Sequence, residues 1–176
     1  KMRAPEALES YVKVGFGEEI EEAPLEENGV KFIAPVVTGQ KTGWFYDHRM
    51  NRARLKDYVK GKKVLDLYSY VGGWGIQAAA FGAESVTCVD SSSLALSYVA
   101  KNAALNGVEE KVNSIEGDVI EVCRKLLEDD EKFDVVIVDP PAFIPRRKDQ
   151  KAGERAYQKL NQLAMRLLTR DGLLVS

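Results

Sequence analysis

The chain contains one histidine, His48, two cysteines and six prolines in 176 residues. One histidine excludes a histidine-rich metal centre and leaves no Ser-His-Asp triad to assemble, and no metal is expected. Cys88 and Cys123 are not spaced as Cys-x-x-Cys and lie among apolar neighbours, so they read as reduced core thiols. No apolar run approaches the ~18 residues of a membrane helix, and no signal-peptide pattern appears. The expected location is the cytoplasm, with no membrane partner. A charge excess is also missing. The net charge of −2 gives no global basic field for nucleic acid, although local patches can sit inside a neutral total.

What is present suits a globular domain, with 45% hydrophobic and 30% charged residues. Asn28-Gly29 separates two strand-like runs and predicts a β-hairpin over 19–35. The glutamates at 18, 19, 21, 22, 26 and 27 read as its solvated face. Gly39 to Arg49 mixes cations, aromatics and acid without a clean period, as a loop with a task does. Residues 50–60 read as a helix stopped by Gly61. From Gln40 to Lys63 there are eight Lys or Arg against two Asp, the reverse of the first thirty residues.

From Lys63 onward strands and helices alternate. Strands are expected at 63–69, 85–90, 112–115, 133–139 and 172–176. The helices between them begin near Ile76, at a cap on Ser91 or Ser92, near Val119 and near Gly153. This order predicts an α/β, Rossmann-like, mostly parallel sheet with helices on both faces, preceded by the hairpin. The expected division is a hairpin extension at 1–48 and a core at 49–176. The last strand runs to Ser176, which reads as a fragment of a larger sheet.

The chemistry gathers at the strand ends. Val64-Leu-Asp-Leu-Tyr-Ser-Tyr-Val-Gly-Gly73 runs from a buried strand into a glycine turn, and Asp66, Asp90, Asp118 and Asp139 recur at successive carboxyl ends. An acid after the second strand can accept both ribose hydroxyls of a nucleoside, and a side-chain oxygen near the third can accept an adenine amine. Gly73-Trp-Gly-Ile-Gln-Ala78 formally fits a dinucleotide fingerprint as well, so a nicotinamide dehydrogenase is an open alternative. Against it, the glycines lie in a looser loop than a pyrophosphate turn, and no hydride-transfer constellation follows. In Asp139-Pro-Pro-Ala-Phe143, the prolines stop a strand and fix Asp139 in the crevice. Asp139 can accept from a base N–H and Phe143 can stack on the base. Arg146, Arg147, Lys148 and Arg155 follow, in a pattern suited to phosphate contact.

With Gly39 to Arg49, Val64 to Gly73, Asp139 to Phe143 and Arg155 to Asn161, the chain resembles class I S-adenosylmethionine-dependent RNA methyltransferases. It is most similar to the large-subunit ribosomal RNA cytosine-5 methyltransferase I group. The resemblance implies S-adenosylmethionine as cofactor, held by Lys41, Thr42, Asp47, Asp66, Tyr68, Ser69, Gly72, Gly73, Asp90, Ser91, Asp118 and Val119. Among these, 68–75 would hold the methionine part, Asp90 the ribose, and Asp118 with Val119 the adenine, while Lys41 to Arg49 would fold over the pocket. Asp139 and Pro140 would receive the target base, with Phe143, Arg146, Arg147, Lys148 and Arg155 on RNA. The implied partners are ribosomal RNA and, left open, a second copy of the chain in a homodimer. The family's N-terminal RNA-binding PUA domain is expected to lie before Lys1. Its nucleophilic cysteine follows the strand that ends at Ser176 and is expected beyond it. Related groups methylate guanine N7 without a cysteine, and a cofactor- or RNA-binding fragment without turnover is the non-enzymatic alternative.

Overall fold

A computed structural model describes residues 16–18, 20–37, 43–144 and 150–176. Its centre is a five-stranded parallel sheet in the order β5-β4-β3-β6-β7, formed by Val112–Glu116, Ser85–Asp90, Lys63–Leu67, Phe133–Val138 and Leu168–Val175. The chain steps outward from β3 to β5 on one side and from β6 to β7 on the other. The reversal between β3 and β6 opens a crevice at the carboxyl ends, where ligands of such sheets bind. Strand alternation sorts the side chains. Val64, Val86, Val135 and Ile137 join one apolar cluster, while Leu65, Leu67, Val89, Val136 and Val138 join the other.

The second cluster is closed by α4 (Val119–Glu128) and α5 (Gln150–Arg166), through Cys123, Leu160, Leu163 and Ala164. The first is covered by α2 (Gly75–Ala80), α3 (Ser93–Leu105) and the hairpin of β1 (Glu22–Glu27) and β2 (Val30–Pro35). At its turn Asn28 and Gly29 have φ of 56° and 79°, the left-handed pair that a two-residue hairpin needs. Val30, Phe32 and Ala34 sink into the same core as the sheet, so the hairpin is packed onto the domain.

Two asparagines one turn apart on α3 make that packing specific. Asn102 accepts the Ile33 N–H at 2.7 Å and donates to the Ile33 carbonyl, and Asn106 does the same for Lys31 at 3.0 and 2.7 Å. The helix thereby supplies the pairing that a neighbouring strand would give, and it blunts an open edge.

Several boundaries differ from the sequence reading. Residues 50–60 form α1 (Arg49–Ala53) and then a 3-10 turn over Arg54–Asp57, because burial falls at Arg52, Leu55 and Val59 and Gly61 leaves at φ 67°. β3 stops at Leu67, since Tyr68 turns to φ 63°. α5 begins at Gln150 and takes in Gly153, where a Cβ would lie 2.9 Å from the Phe143 carbonyl oxygen. β7 begins at Leu168 and shifts register against β6 between Phe133 and Val135. Ser92 is the α3 cap, accepting the Ala95 N–H at 3.2 Å.

Candidate functional site

The crevice is a cleft of about 560 Å³ at the carboxyl ends of β3, β4 and β6. Its floor is the turn after β3, where Tyr68 and Tyr70 both hold positive φ, 63° and 49°. Two bulky residues in the left-handed region within one turn store strain, which is found where surrounding structure fixes a functional loop. The fixing groups are identifiable. Asp90 at the end of β4 accepts the Tyr70 N–H through Oδ2 and the Ser92 N–H through Oδ1, each at 2.9 Å. A carboxylate offers about four acceptor positions, so Asp90 keeps capacity on the cleft side.

Asp139 and Pro140, just past β6, form the facing wall. Trp74 Nε1 donates to Asp139 Oδ2 at 3.0 Å, and His48 Nε2 stands 3.8 Å from Asp139 Oδ1 and 3.8 Å from Asp47 Oδ2. The imidazole also packs on Trp74, with ring centroids 5.9 Å apart. The segment after the hairpin therefore does lie against the cleft, through Trp44, Phe45, Asp47 and His48.

A buried ionic cluster holds that segment. Arg52 donates through Nε to Glu27 Oε1 at 2.5 Å and through Nη2 to Glu27 Oε2 at 3.0 Å and the Phe45 carbonyl at 2.6 Å. Gln77 joins Glu27 to the Gly73 carbonyl at 2.9 and 3.0 Å, and Trp44 Nε1 adds a bond to Glu27 at 3.2 Å. Burial by itself would raise the Glu27 carboxyl, but the Arg52, Gln77 and Trp44 donors outweigh it and hold the group below its ordinary range. The expectation that all the early glutamates are solvated is thus corrected. Glu27 is 2% exposed and ties hairpin, α1 and glycine turn together, and Glu22 receives Tyr98 and Lys101.

Of the residues expected to hold a cofactor, Asp47, Tyr68, Ser69, Gly73, Asp90 and Ser91 line the cleft. Asp66 lies beneath it, wholly buried, with Oδ2 accepting the Gly75 N–H at 2.8 Å. Burial, and after it the Asp139 and Asp90 charges, push its carboxyl up to about 8, so at neutral pH it is a proton-bearing brace. Gly72, at φ 86°, serves the turn itself, since a Cβ there would meet Ile76 at 2.8 Å. Asp118 caps α4 through Oδ1, accepting the Ile120 and Glu121 N–H groups at 3.0 and 3.1 Å, and Val119 is buried behind it.

Phe143 is half-buried against Tyr157 at 4.7 Å and Tyr68 at 6.3 Å, behind the cleft wall. Arg155 is exposed on α5. Lys41, Thr42, Arg146, Arg147 and Lys148 lie outside the described residues.

Sequence reasoning passed over the Glu27–Arg52–Gln77 cluster, and it reached Tyr70, Trp74 and His48 only as members of the 68–75 and 41–49 stretches. A signal for the cluster existed. Arg52 stands on the inner stripe with Leu55 and Val59, and an inward arginine requires a buried acid. Neither thiol is reactive: both are buried, Cys88 held well above its ordinary value and Cys123 pushed up to about 12, chiefly by burial. Among the described residues no helix is long and apolar enough to cross a membrane, and no cluster could hold a metal ion.

The family described as S-adenosylmethionine-dependent methyltransferase matches residues 5–176. The ribosomal RNA large subunit methyltransferase I of Shewanella denitrificans is 40% identical over 153 residues, covering 86% of this chain and 38% of its own length. That of Aeromonas salmonicida is 38% identical over 177 residues, covering 99% of this chain and 45% of its own length. The chain thus spans less than half the length of these curated relatives. A crystal structure of a protein assigned as a methyltransferase, complexed with SAH (S-adenosylhomocysteine), is 28% identical with a TM-score of 0.78. It is covered over 90% of this chain and 42% of its own. A match over nearly the whole chain, joined to the parallel sheet and its crevice, decides the family. This chain belongs to the S-adenosylmethionine-dependent methyltransferases.

Proposed function

We propose that this chain is the methyl-transferring part of an enzyme acting on a base of ribosomal RNA, with C5 of a large-subunit cytosine as the acceptor. The observation that carries methyl transfer is Asp90 and Asp139 opening on one cleft from either side of the β3 turn. Support for ribosomal RNA comes from the relatives, which are ribosomal RNA large subunit methyltransferases I.

The residues present fit the cofactor. Ser69 lines the cleft floor, with its buried Oγ turned to the Cys88 thiol, so the turn is held from beneath and the backbone of 68–73 faces the pocket. The unused acceptor capacity of Asp90 suits a ribose diol, and Asp118 Oδ2 suits an adenine amine beside Val119. Trp44, Tyr70 and Trp74 present aromatic surface while Asp47, Asp90 and Asp139 present negative charge, which together favour a sulfonium. Lys41 and Thr42 are assigned to the same pocket by the family resemblance. Bound there, S-adenosylmethionine supplies a methyl group on positively charged sulfur. Asp139, with Oδ2 held by Trp74, keeps Oδ1 to accept an N–H of the incoming base.

Methylation at cytosine C5 requires a thiolate to add at C6. Cys88 and Cys123 are locked in the core, so on this reading the nucleophile is the cysteine that the resemblance places directly after Ser176. The same burial favours a second reading, guanine N7, whose lone pair attacks a methyl group without a thiol. The test is tritiated-methyl transfer by the protein containing this chain to unmodified large-subunit rRNA, followed by nucleoside analysis. Label is expected in 5-methylcytidine and to be lost in Asp90→Ala. Label in 7-methylguanosine moves the acceptor to guanine. NAD binding without S-adenosylhomocysteine binding overturns methyl transfer altogether.

A further inference from the structure

We infer that the outer flank of α1 and the 3-10 turn after it is a track for the RNA backbone, running from the cleft mouth to the opposite end of the sheet. The inference rests on the RNA reading above and adds to it the path of the strand. Inward positions Arg52, Leu55 and Val59 fasten this stretch, and the charges between them face out. Arg49, Arg54, Lys56, Lys60 and Lys62 are all exposed. Among the described residues none of Arg49, Arg54, Lys60 or Lys62 has a carboxylate partner, while Lys56 lies over the Phe81 ring at 5.0 Å. Cations left unpaired in a row are available to phosphates, and their binding would release counterions.

The row has a direction. It starts where His48 and Arg52 line the cleft, beside Tyr46, which is 66% exposed and offers a ring for base stacking. It ends where the Gly61 N–H donates to the Gly82 carbonyl and the Glu84 N–H to the Lys62 carbonyl, at the amino end of β3. β3 spans five residues, so the track descends about 17 Å from the catalytic end. Charge elsewhere runs the other way. Residues 109–131, at the β5 edge and on α4, carry nine Asp or Glu against three Lys or Arg. An RNA strand with a base in the cleft is drawn to the α1 flank and repelled from the other.

The test is fluorescence anisotropy with a fluorescein-labelled, mixed-sequence single-stranded RNA of about thirty nucleotides, titrated against salt. Arg54→Glu/Lys60→Glu/Lys62→Glu should weaken binding at least tenfold at low salt. It should also lower the slope of log affinity against log salt by about 2, three contacts at ~0.7 each. Its S-adenosylhomocysteine affinity by calorimetry and its circular dichroism should match the parent. The charge-matched control Lys111→Glu/Arg124→Glu/Lys125→Glu should bind RNA within threefold of the parent. Equal losses in both triple variants, or a parent-like slope in the first, overturn the track while leaving the RNA reading intact. A parent chain that binds S-adenosylhomocysteine but no RNA overturns both.

Discussion

The two faces of the sheet are built on different principles. Under α4 and α5 the core is Leu, Val, Phe and Ala with one thiol, and its cohesion comes from area removed from water. Under the hairpin the core is threaded with Glu27, Arg52, Asp66, Gln77 and Asn102, each buried and each with a directional partner. Apolar packing holds elements together but tolerates small shifts, whereas a hydrogen-bonded network specifies one arrangement and is costly when broken. The polar face is the one that must place Trp44, His48 and the glycine turn around the cleft. The apolar face supports the sheet from behind.

The contrast is tested hardest by Glu27→Ala. Removing the acid leaves the Arg52 guanidinium buried and unpaired, and breaking a buried pair in this way costs about 3–5 kcal/mol. Urea unfolding should show that loss, and S-adenosylhomocysteine affinity should fall with it, because the segment over the cleft loses its anchor. Leu160→Ala on the apolar face should cost about 2–5 kcal/mol through its cavity yet leave cofactor affinity within twofold of the parent. Equal effects of the two variants on affinity would erase the distinction between the faces.

The third effect is a slope with pH. The Asp66 carboxyl is raised from 3.8 to about 8 in the folded chain, so the folded state holds a proton that the unfolded state releases. Its contribution is complete below about pH 4 and is lost as pH rises through about 8, at no more than about 1.4 kcal/mol per pH unit. Asp66→Asn, neutral throughout, should flatten that part of the stability profile measured by thermal unfolding from pH 4 to pH 8. An unchanged slope would mean that Asp66 does not carry the proton.

Much of the architecture was legible because local chemistry and global fold agree. Asn28-Gly29 marks a hairpin, Ser92 marks a cap, and Val64, Leu65 and Leu67 around Asp66 mark a strand bounded by glycines. Pro140 ends β6 as its fixed geometry requires, with Asp139 presented beside it. The sequence was silent where a residue's partner is distant along the chain. Glu27 looks like five neighbouring glutamates until Arg52 and Gln77, 25 and 50 residues on, are brought to it. Asp66 has the same strand-end position as Asp90, but it faces α2 and lies beneath the cleft. Phe143 follows the proline stop, and only the fold shows that Tyr157 from α5 packs on its ring.

Determined by the sequence alone were the parallel α/β order, the acids at successive strand ends and the glycine turn between them. These follow from periodicity and backbone constraint within a few residues. Only the tertiary structure decided which acids face the cleft, which one braces from below, and how the hairpin reaches across to hold the aromatic segment. Burial and pairing are properties of neighbours in space. A carboxylate in water and a carboxyl sealed beneath a turn are the same letter in a sequence.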